Sequence, residues 1–412
     1  MLFCVKIARE SIKFNVLQAF TKKCVHAIID VFKQKFLNKQ MFGGGMMNHN
    51  EREILNRIRT NPFISQQELA EEIGLSRPAV ANIISGLIKK EYVLGKAYVL
   101  NESYPIVCIG AANLDRKFHV AQALKMGTSN PVTSTRSIGG VSRNIAENLG
   151  RLGETVAFLT ACGNDSEWDT IDALSRPFMN LDHIQQIEGA STGSYTALID
   201  QNGNMTYGLA DMEVYDFITP EFLTKHTHML NKARCIVVDL NLSKAAIEFL
   251  CAYSQKHDIK LVVIPVSSPK MAHMPEALHA IDWIIVNRDE TETYFDMTIQ
   301  TEADLRLAAQ KWIDAGVSNV IITNGSKQLI FKNNHDEMIK NVKPSEHVVD
   351  VTGAGDAFSS AVIYSWMNGM SNEAIIAAGM ANAKKTIETA YTVRQNLDQK
   401  QLEMDMEEMN YE

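Results

Sequence analysis

No stretch of this 412-residue chain approaches the roughly 18 consecutive apolar residues of a membrane-spanning helix, which argues against an integral membrane protein or a membrane partner. Its six cysteines form no CxxC pair and its eleven histidines no HxxxH pair. Neither a disulfide frame nor a zinc site is therefore spelled out. Cys4, Cys24, Cys108, Cys162, Cys235 and Cys251 are scattered instead, the pattern of reduced, buried thiols in a cytoplasmic protein. Positive charge is not in excess either. Forty Lys and Arg against 48 Asp and Glu leave a net charge of -8. That excludes a surface that coats nucleic acid all over, and leaves room for a local basic face. With 46% apolar and 21% charged residues, the chain is neither disordered nor fibrous, and its length allows two or three domains.

The first 46 residues differ from the rest. Their only acids are Glu10 and Asp30, and they end in Gly43-Gly44-Gly45 before Met46-Met47. A basic, acid-poor start reads as a targeting peptide, as a short basic helical arm, or as an over-called start with the true one at Met46 or Met47. The last is preferred, since a purine-rich ribosome-binding site translated in frame gives glycines just before a Met. Residues 1–46 are thus expected to be non-native or disordered.

Residues 47–101 form a short, regular pattern. Ile54, Leu55 and Ile58 are at helical spacing and Asn61-Pro62 breaks the helix. Ser65 and Glu68 make a capping box opening a second helix, and Gly74 supplies the turn. Ser76 caps a third helix whose apolar stripe is Val80, Ile83, Ile84, Leu87 and Ile88. Residues 92–100 alternate around Gly95-Lys96, as in a hairpin or wing. The stretch "SQQELAEEIGLSRPAVANIISGLIKKEYVLGKAYVL" resembles the winged helix-turn-helix DNA-binding heads of bacterial regulators. On that resemblance Arg77, Asn82, Ser85, Lys89 and Lys90 face double-stranded DNA, with Lys96 on the wing. Arg and Asn suit bases, and Lys and Ser suit phosphates. The competing reading is a three-helix domain used only for dimerisation or packing. Acids nearly balance bases here, so DNA affinity is expected to be modest and to need a homodimer. Residues 101–105 are the linker.

From residue 106 the pattern changes. Short apolar runs at 106–110, 156–159, 235–238, 260–264, 283–286 and 319–322 read as buried strands. Helical patterns at 142–152, 245–256 and 301–315 lie between them, which implies an α/β domain with a largely parallel sheet. Residues 192–207 alternate around Asp200-Gln201-Asn202-Gly203, a β-hairpin placed to act as a lid.

Two motifs carry chemistry. Asp350-Val351-Thr352-Gly353-Ala354-Gly355-Asp356 precedes a helical pattern, so backbone N–H groups converge at a helix N-terminus and can hold an anion. An Asp at the mouth of that turn can take a proton from an attacking hydroxyl. Taken alone, the string is equally a glycine-rich turn capped by Asp. The second motif is Gly139-Gly140-Val141-Ser142-Arg143-Asn144, opening a helix after the first strand region. Paired glycines allow close backbone approach, and Asn144 offers both a donor and an acceptor. Upstream, Asn113 and Asp115 follow the first strand, where an amide and a carboxylate suit paired hydroxyls.

These two motifs, in this order and about 200 residues apart, resemble the two signatures of the ribokinase/PfkB family of carbohydrate kinases, over residues 105–396. The resemblance implies a ribokinase-like three-layer α/β sandwich with a small β lid. It implies an enzyme, a phosphotransferase that moves phosphate from ATP to an alcohol of a sugar or nucleoside. By motif, Asp356 is the catalytic base and Gly353, Ala354 and Gly355 the anion hole; Asn113, Asp115, Gly139, Gly140 and Asn144 hold the ribose. Asn287 and Glu290 match the family's NxxE, which organises Mg²⁺ through water. Thr323 and Gly325 match the turn beside the nucleotide, and Asn382 lies near the expected adenine. Asp350 and Thr352 stand where many members bind a monovalent cation such as K⁺.

The string "SNPVTSTRSIGGVSRNIAENLGRLG" resembles the pseudouridine kinase branch, some members of which carry a helix-turn-helix head. Arg143 and Asp211 are then expected near the nucleoside; otherwise Arg143 is a helix-surface salt bridge and Asp211 a loop cap. Ile264, Val286 and Gln328 depart from the family's Asp, Lys and Gly. The expected function is a kinase for the nucleoside 5′-hydroxyl, pseudouridine first, coupled to DNA binding. Another nucleoside or sugar is the near rival, and a nucleoside-sensing regulator with a kinase-like domain the distant one. Trp168, Trp283, Trp312 and Trp366 read as packing, and residues 397–412 as an acidic, frayed tail.

Overall fold

The computed structural model describes residues 47–60, 64–94 and 104–411. The expectations for residues 1–46, for the wing around Lys96 and for Cys4 and Cys24 lie outside them. The chain divides into two compact units, residues 1–102 and 103–412.

The first unit contains helices α1 (His49–Thr60), α2 (Gln66–Ile73) and α3 (Arg77–Lys89). Ser65 and Glu68 close a reciprocal capping box on α2, and Ser76 caps α3 ahead of Pro78. Asn48 and Glu51 do the same for α1 through bonds of 3.0 and 2.9 Å. The apolar stripes meet in one core, in which Ile54, Ile58, Leu69, Val80 and Leu87 are fully buried.

In the second unit an eight-stranded sheet runs in the order β14-β13-β12-β11-β10-β9-β1-β4. Its strands are β1 (Ile106–Ile109), β4 (Val156–Leu159), β9 (Cys235–Asp239), β10 (Lys260–Ile264), β11 (Trp283–Asn287), β12 (Asn319–Thr323), β13 (Gln328–Asn333) and β14 (Glu337–Asn341). The first six are mutually parallel, and β13 and β14 add an antiparallel edge. Alternate residues of a strand point to opposite faces, and both faces here are covered. Val107, Ile109, Ile236 and Val238 enter one core; Ile106, Cys108, Cys235 and Val237 enter the other. That is why these strands read as unbroken apolar runs.

Helices α4 (Val141–Arg151), α5 (Ser166–Ser175), α6 (Lys244–His257), α7 (Arg288–Phe295), α8 (Glu302–Asp314), α9 (Ala354–Met367), α10 (Asn372–Ile387) and α11 (Gln399–Tyr411) cover the sheet or connect its strands. A separate four-stranded sheet, β3-β2-β7-β8, is built from β2 (Asn113–Val120), β3 (Val132–Gly139), β7 (Ser194–Ile199) and β8 (Met205–Asp211). It contains the expected hairpin as β7 and β8 and adds β2 and β3. A small parallel pair, β5 (Ala161–Gly163) and β6 (Gln185–Ile187), completes the strands.

One expectation is overturned. The segment read as a frayed tail carries α11, whose Leu402 and Asp405 are buried. Asp405 Oδ2 accepts from Arg394 Nη1 at 2.5 Å, a buried ion pair that pins the helix. Trp283 and Trp312 are core residues as expected, and Cys108, Cys162, Cys235 and Cys251 are buried free thiols. Among the described residues no helix is long and apolar enough to cross a membrane.

Candidate active site

Strand order reverses at β1, which lies between β9 and β4, so a crevice opens at the carboxyl ends of β1 and β9. Asp239 closes β9 there, fully buried. Its Oδ2 accepts the amides of Ala111 and Ser142, each at 3.0 Å, and its Oδ1 that of Asn241 at 2.9 Å. One carboxylate thus ties the end of β1 to the start of α4. Gly140 starts that helix with φ 98°, where a Cβ would be driven into the Ala111 carbonyl. The sequence offered a signal for Asp239, an acid at the carboxyl end of an apolar run, but no motif claimed it.

The first turn of α4 aims the chemistry. Asn144 Nδ2 donates to Asp356 Oδ2 at 2.7 Å, while Asn144 Oδ1 accepts from Arg143 Nη1 at 2.5 Å. Residues 212 positions apart are thereby joined. Arg143 is only 1% exposed and pairs with Glu147 one turn on, while its Nε donates to Ser175 Oγ at 3.1 Å. This corrects two expectations at once. Arg143 neither faces a nucleoside in a cleft nor forms a surface salt bridge, because its guanidinium is consumed inside the protein holding Asn144. Burial draws its pKa down to about 9.

Asp356, half-buried, stands in the first turn of α9. Its carboxyl is pushed up to about 7, chiefly by burial; the Asn144 bond and Arg143 work against this, and Asp239 and Asp115 add to it. Gly353, the residue before α9, has φ 85°, and a Cβ there would meet the Thr392 carbonyl. No side chain caps the helix. Its first amides, Gly355 and Asp356 among them, have no intrahelical acceptor by geometry and point toward any anion at this end.

Asp350 and Thr352 do not have the surroundings a K⁺ site needs. Lys117 Nζ, from β2, donates to Asp350 Oδ2 at 2.5 Å and Thr352 Oγ1 at 3.0 Å. Burial opposes ionisation of Asp350, but Lys117 and the Thr352 amide outweigh it and hold the carboxyl below its usual range. A cation is already bonded to the oxygens that K⁺ would use.

A pocket of 450 Å³ is lined by Thr323, Gly325, Val342, Val351, Ala354, Gly355, Phe358, Met380, Ala383 and Ile387. Its mostly apolar walls suit a planar base, and Ala354 and Gly355 at the head of α9 are among its lining residues. Asn382 does not face it. That side chain is fully buried, donating to Asn148 Oδ1 and the Ala357 carbonyl and accepting from Arg394 Nε. Its helix neighbours Met380 and Ala383 line the pocket instead. Asn287 and Thr323 are register partners at the ends of β11 and β12. Asn287 and Glu290 form a reciprocal cap on α7, each bond 2.8 Å. Glu290, 3% exposed, is pushed up to about 7, burial being the largest cause. A buried carboxylate near neutrality is one a cation would ionise, so these residues fit Mg²⁺ held through water. Ile264 and Val286, two of the departures from the family pattern, are buried in the sheet.

On the lid, Asn113, Asp115 and Lys117 share one face of β2, and Asn113 Nδ2 donates to Asp115 Oδ1 at 2.5 Å. Asp115 is pushed up to about 6, first by burial. A Cβ on Gly139 would collide with its carboxylate. The register places exposed Asp211 opposite Ser194, which is itself opposite Leu114, so Asp211 lies two strands from Asn113 and Asp115.

In the first unit, Arg77, Asn82, Ser85 and Lys89 are exposed on α3, opposite its buried Val80, Ile84 and Leu87. Asn82, Ser85 and Lys89 are three and four residues apart and share a face. Lys90 is drawn away, its Nζ 2.7 Å from Glu51 Oε1.

Comparison with known proteins agrees with this arrangement. Residues 105–399 match the pfkB family carbohydrate kinase model, and residues 47–93 match the model for winged helix-turn-helix DNA-binding domains. An uncharacterized sugar kinase of Escherichia coli (strain K12), YeiI, is 28% identical over 79% of this chain and 90% of its own. The pseudouridine kinase of the same organism is 28% identical over 66% of this chain and 86% of its own. Among solved structures, a carbohydrate kinase from Agrobacterium tumefaciens superposes with TM-score 0.64 at 25% identity, covering 74% of this chain and 97% of that one. Arabidopsis thaliana ribokinase complexed with ribose and ATP shares the fold at TM-score 0.64 and 18% identity, covering 74% of this chain and 99% of that one. With its two signature turns joined through Asn144 and Asp356, the chain is a sugar or nucleoside kinase and belongs to the pfkB family of carbohydrate kinases.

Proposed function

We propose that the chain transfers the γ-phosphoryl group of ATP to the 5′-hydroxyl of a nucleoside, with pseudouridine the preferred substrate. The observation that carries the mechanism is the Asn144–Asp356 bond at the open head of α9, with the carboxyl near about 7. A base poised near neutrality is matched to its task. Asp356 takes the proton of the 5′-hydroxyl as that oxygen bonds to the γ-phosphorus and the bond to the β,γ-bridging oxygen breaks. ADP leaves with the bridging electron pair. The amides at the head of α9 stabilise charge on the transferring group. Mg²⁺, held through water by Glu290, would neutralise the phosphates. Asn113 and Asp115 hold the ribose hydroxyls, and β7 and β8 cover the site to keep water out.

The choice of pseudouridine rests on the "GGVSRN" turn and on the pseudouridine kinase at 28% identity; a guanosine-inosine kinase from Exiguobacterium acetylicum at 26% makes other nucleosides the comparison to run. The test is ATP-dependent phosphorylation across pseudouridine, uridine, guanosine, inosine, ribose and fructose 6-phosphate. A kcat/KM for pseudouridine about 10²-fold above uridine is expected, since the two bases present different hydrogen-bonding edges. A preference for ribose would overturn the nucleoside assignment and leave the kinase.

The winged-helix match and the exposed face of α3 support a second activity, DNA binding by residues 47–101. The full chain should retain duplex DNA, with affinity falling steeply between about 50 and 200 mM salt. Arg77→Ala with Lys89→Ala should weaken retention. Nucleoside binding should shift DNA affinity if the two activities are coupled, and an unchanged affinity would deny that coupling.

A further inference from the structure

We propose that Lys117 is a tethered monovalent cation for the anion-hole turn, so that this kinase needs no K⁺ and acquires its cation from the lid. The proposal rests on reading residues 353–356 as the anion hole. Three observations converge on it. First, Lys117 Nζ is bonded to both Asp350 Oδ2 and Thr352 Oγ1, at 2.5 and 3.0 Å. Second, Asp350 Oδ1 in turn accepts the Thr352 amide at 3.0 Å and hydroxyl at 2.7 Å. The carboxylate thereby fixes the residue before Gly353, and its own charge is balanced by the ammonium. Third, Lys117 is a lid residue. It sits in β2 between Thr135 of β3 and Ala197 of β7, two residues beyond Asp115 on the same face. Its neighbour Arg116 points to the other side and pairs with Glu167 at 2.6 Å.

A free K⁺ and a lysine ammonium at this point are mutually exclusive, since both claim the same oxygens and like charges in contact repel. Strand β2 brings the cation and the sugar-binding pair on one rigid element. Wherever β2 rests against the turn the ammonium comes with it, so the turn is neutralised without drawing an ion from solution. Lys117 acts on the amides through Asp350 and Thr352, so it is a positioning residue.

The experiment compares the wild type, Lys117→Met and Lys117→Arg in potassium, sodium and choline chloride, by ADP formation with nucleoside and by thermal unfolding. Wild-type turnover should agree within about twofold across the salts. Lys117→Met should lose about tenfold in kcat in choline, less than the 10²-fold of a lost anion-hole donor, and regain most of it in K⁺ alone. Lys117→Arg should keep the indifference to salt. In unfolding, K⁺ should raise the midpoint of Lys117→Met selectively and leave the wild type where it is. Strong activation of the wild type by K⁺ would overturn the proposal, as would a Lys117→Met enzyme equally active in choline. If no variant turns over in any salt, the nucleoside assignment has failed, and the unfolding measurement still decides: only a K⁺-specific rise confined to Lys117→Met supports the tethered cation.

Discussion

Asp356→Asn should lower kcat by about 10³-fold, the scale of a lost general base, with ATP affinity little changed. The wild-type kcat/KM should rise with pH and level off above an apparent pKa near about 7, because the carboxyl must be ionised to accept the proton. The same shift predicts a stability effect of definite sign. The folded pKa lies above the ordinary 3.8, so the folded state holds this proton more tightly than the unfolded chain. Stability is full below about 4 and is lost as pH rises through about 7. Asn has no such loss. The variant should therefore match the wild type at acid pH and exceed it by on the order of 2 kcal/mol above neutrality, allowing for screening of a half-exposed group. A variant less stable than the wild type at pH 8 would mean that Asp356 is a structural cap rather than a strained base.

Arg143→Met should cost about 3 kcal/mol of stability, a fall in Tm of about 5 °C. The guanidinium is buried against Glu147, Ser175 and Asn144, and its loss leaves the Glu147 carboxylate with Arg151 alone. A second change, Glu147→Gln, should return part of the loss by removing the buried charge. Activity separates this from simple destabilisation. Arg143 holds Asn144 Oδ1, and its charge opposes the rise in the Asp356 pKa. At temperatures where Arg143→Met is fully folded, the acid limb of its pH–rate profile should move to higher pH and KM for ATP should hold steady. An unmoved limb would reduce Arg143 to a packing residue.

Much of this was legible in the chain because burial on both faces leaves an unambiguous trace. The six parallel strands are apolar runs of four or five residues, and each ends at the sheet edge that carries Gly110, Asp239, Asn287 or Thr323. Both signature turns were equally visible, since Gly140 and Gly353 occupy positions where backbone contacts exclude any side chain. Strands β2 and β3 were not visible. The run "VTSTRSIG" is largely exposed, so no apolar alternation marks it. Without β2 as a strand, nothing in the sequence puts Lys117 on the face of Asn113 and Asp115, and Asp350 and Thr352 read as the site of a free cation. Arg143 and Asn382 differ for another reason: both lie in a motif or at an expected position, yet their hydrogen-bonding capacity is taken up by Asn144, Glu147 and Asn148 of α4 and by Arg394 of a loop. Helix α11 was hidden by composition. Among its described residues the buried face is Leu402 and Asp405 with Met406 and Met409 beside them, in an otherwise acidic segment.

In the proposed reaction Asp356, aimed by Asn144, moves phosphate onto a nucleoside hydroxymethyl oxygen. Phosphorus NMR of wild type and Asp356→Asn incubated with ATP, Mg²⁺ and pseudouridine tests it most directly. A new phosphomonoester resonance, split by the two C5′ protons, should grow in step with ADP in the wild type and be absent in the variant. Inorganic phosphate as the sole product, or equal monoester from both proteins, would contradict it.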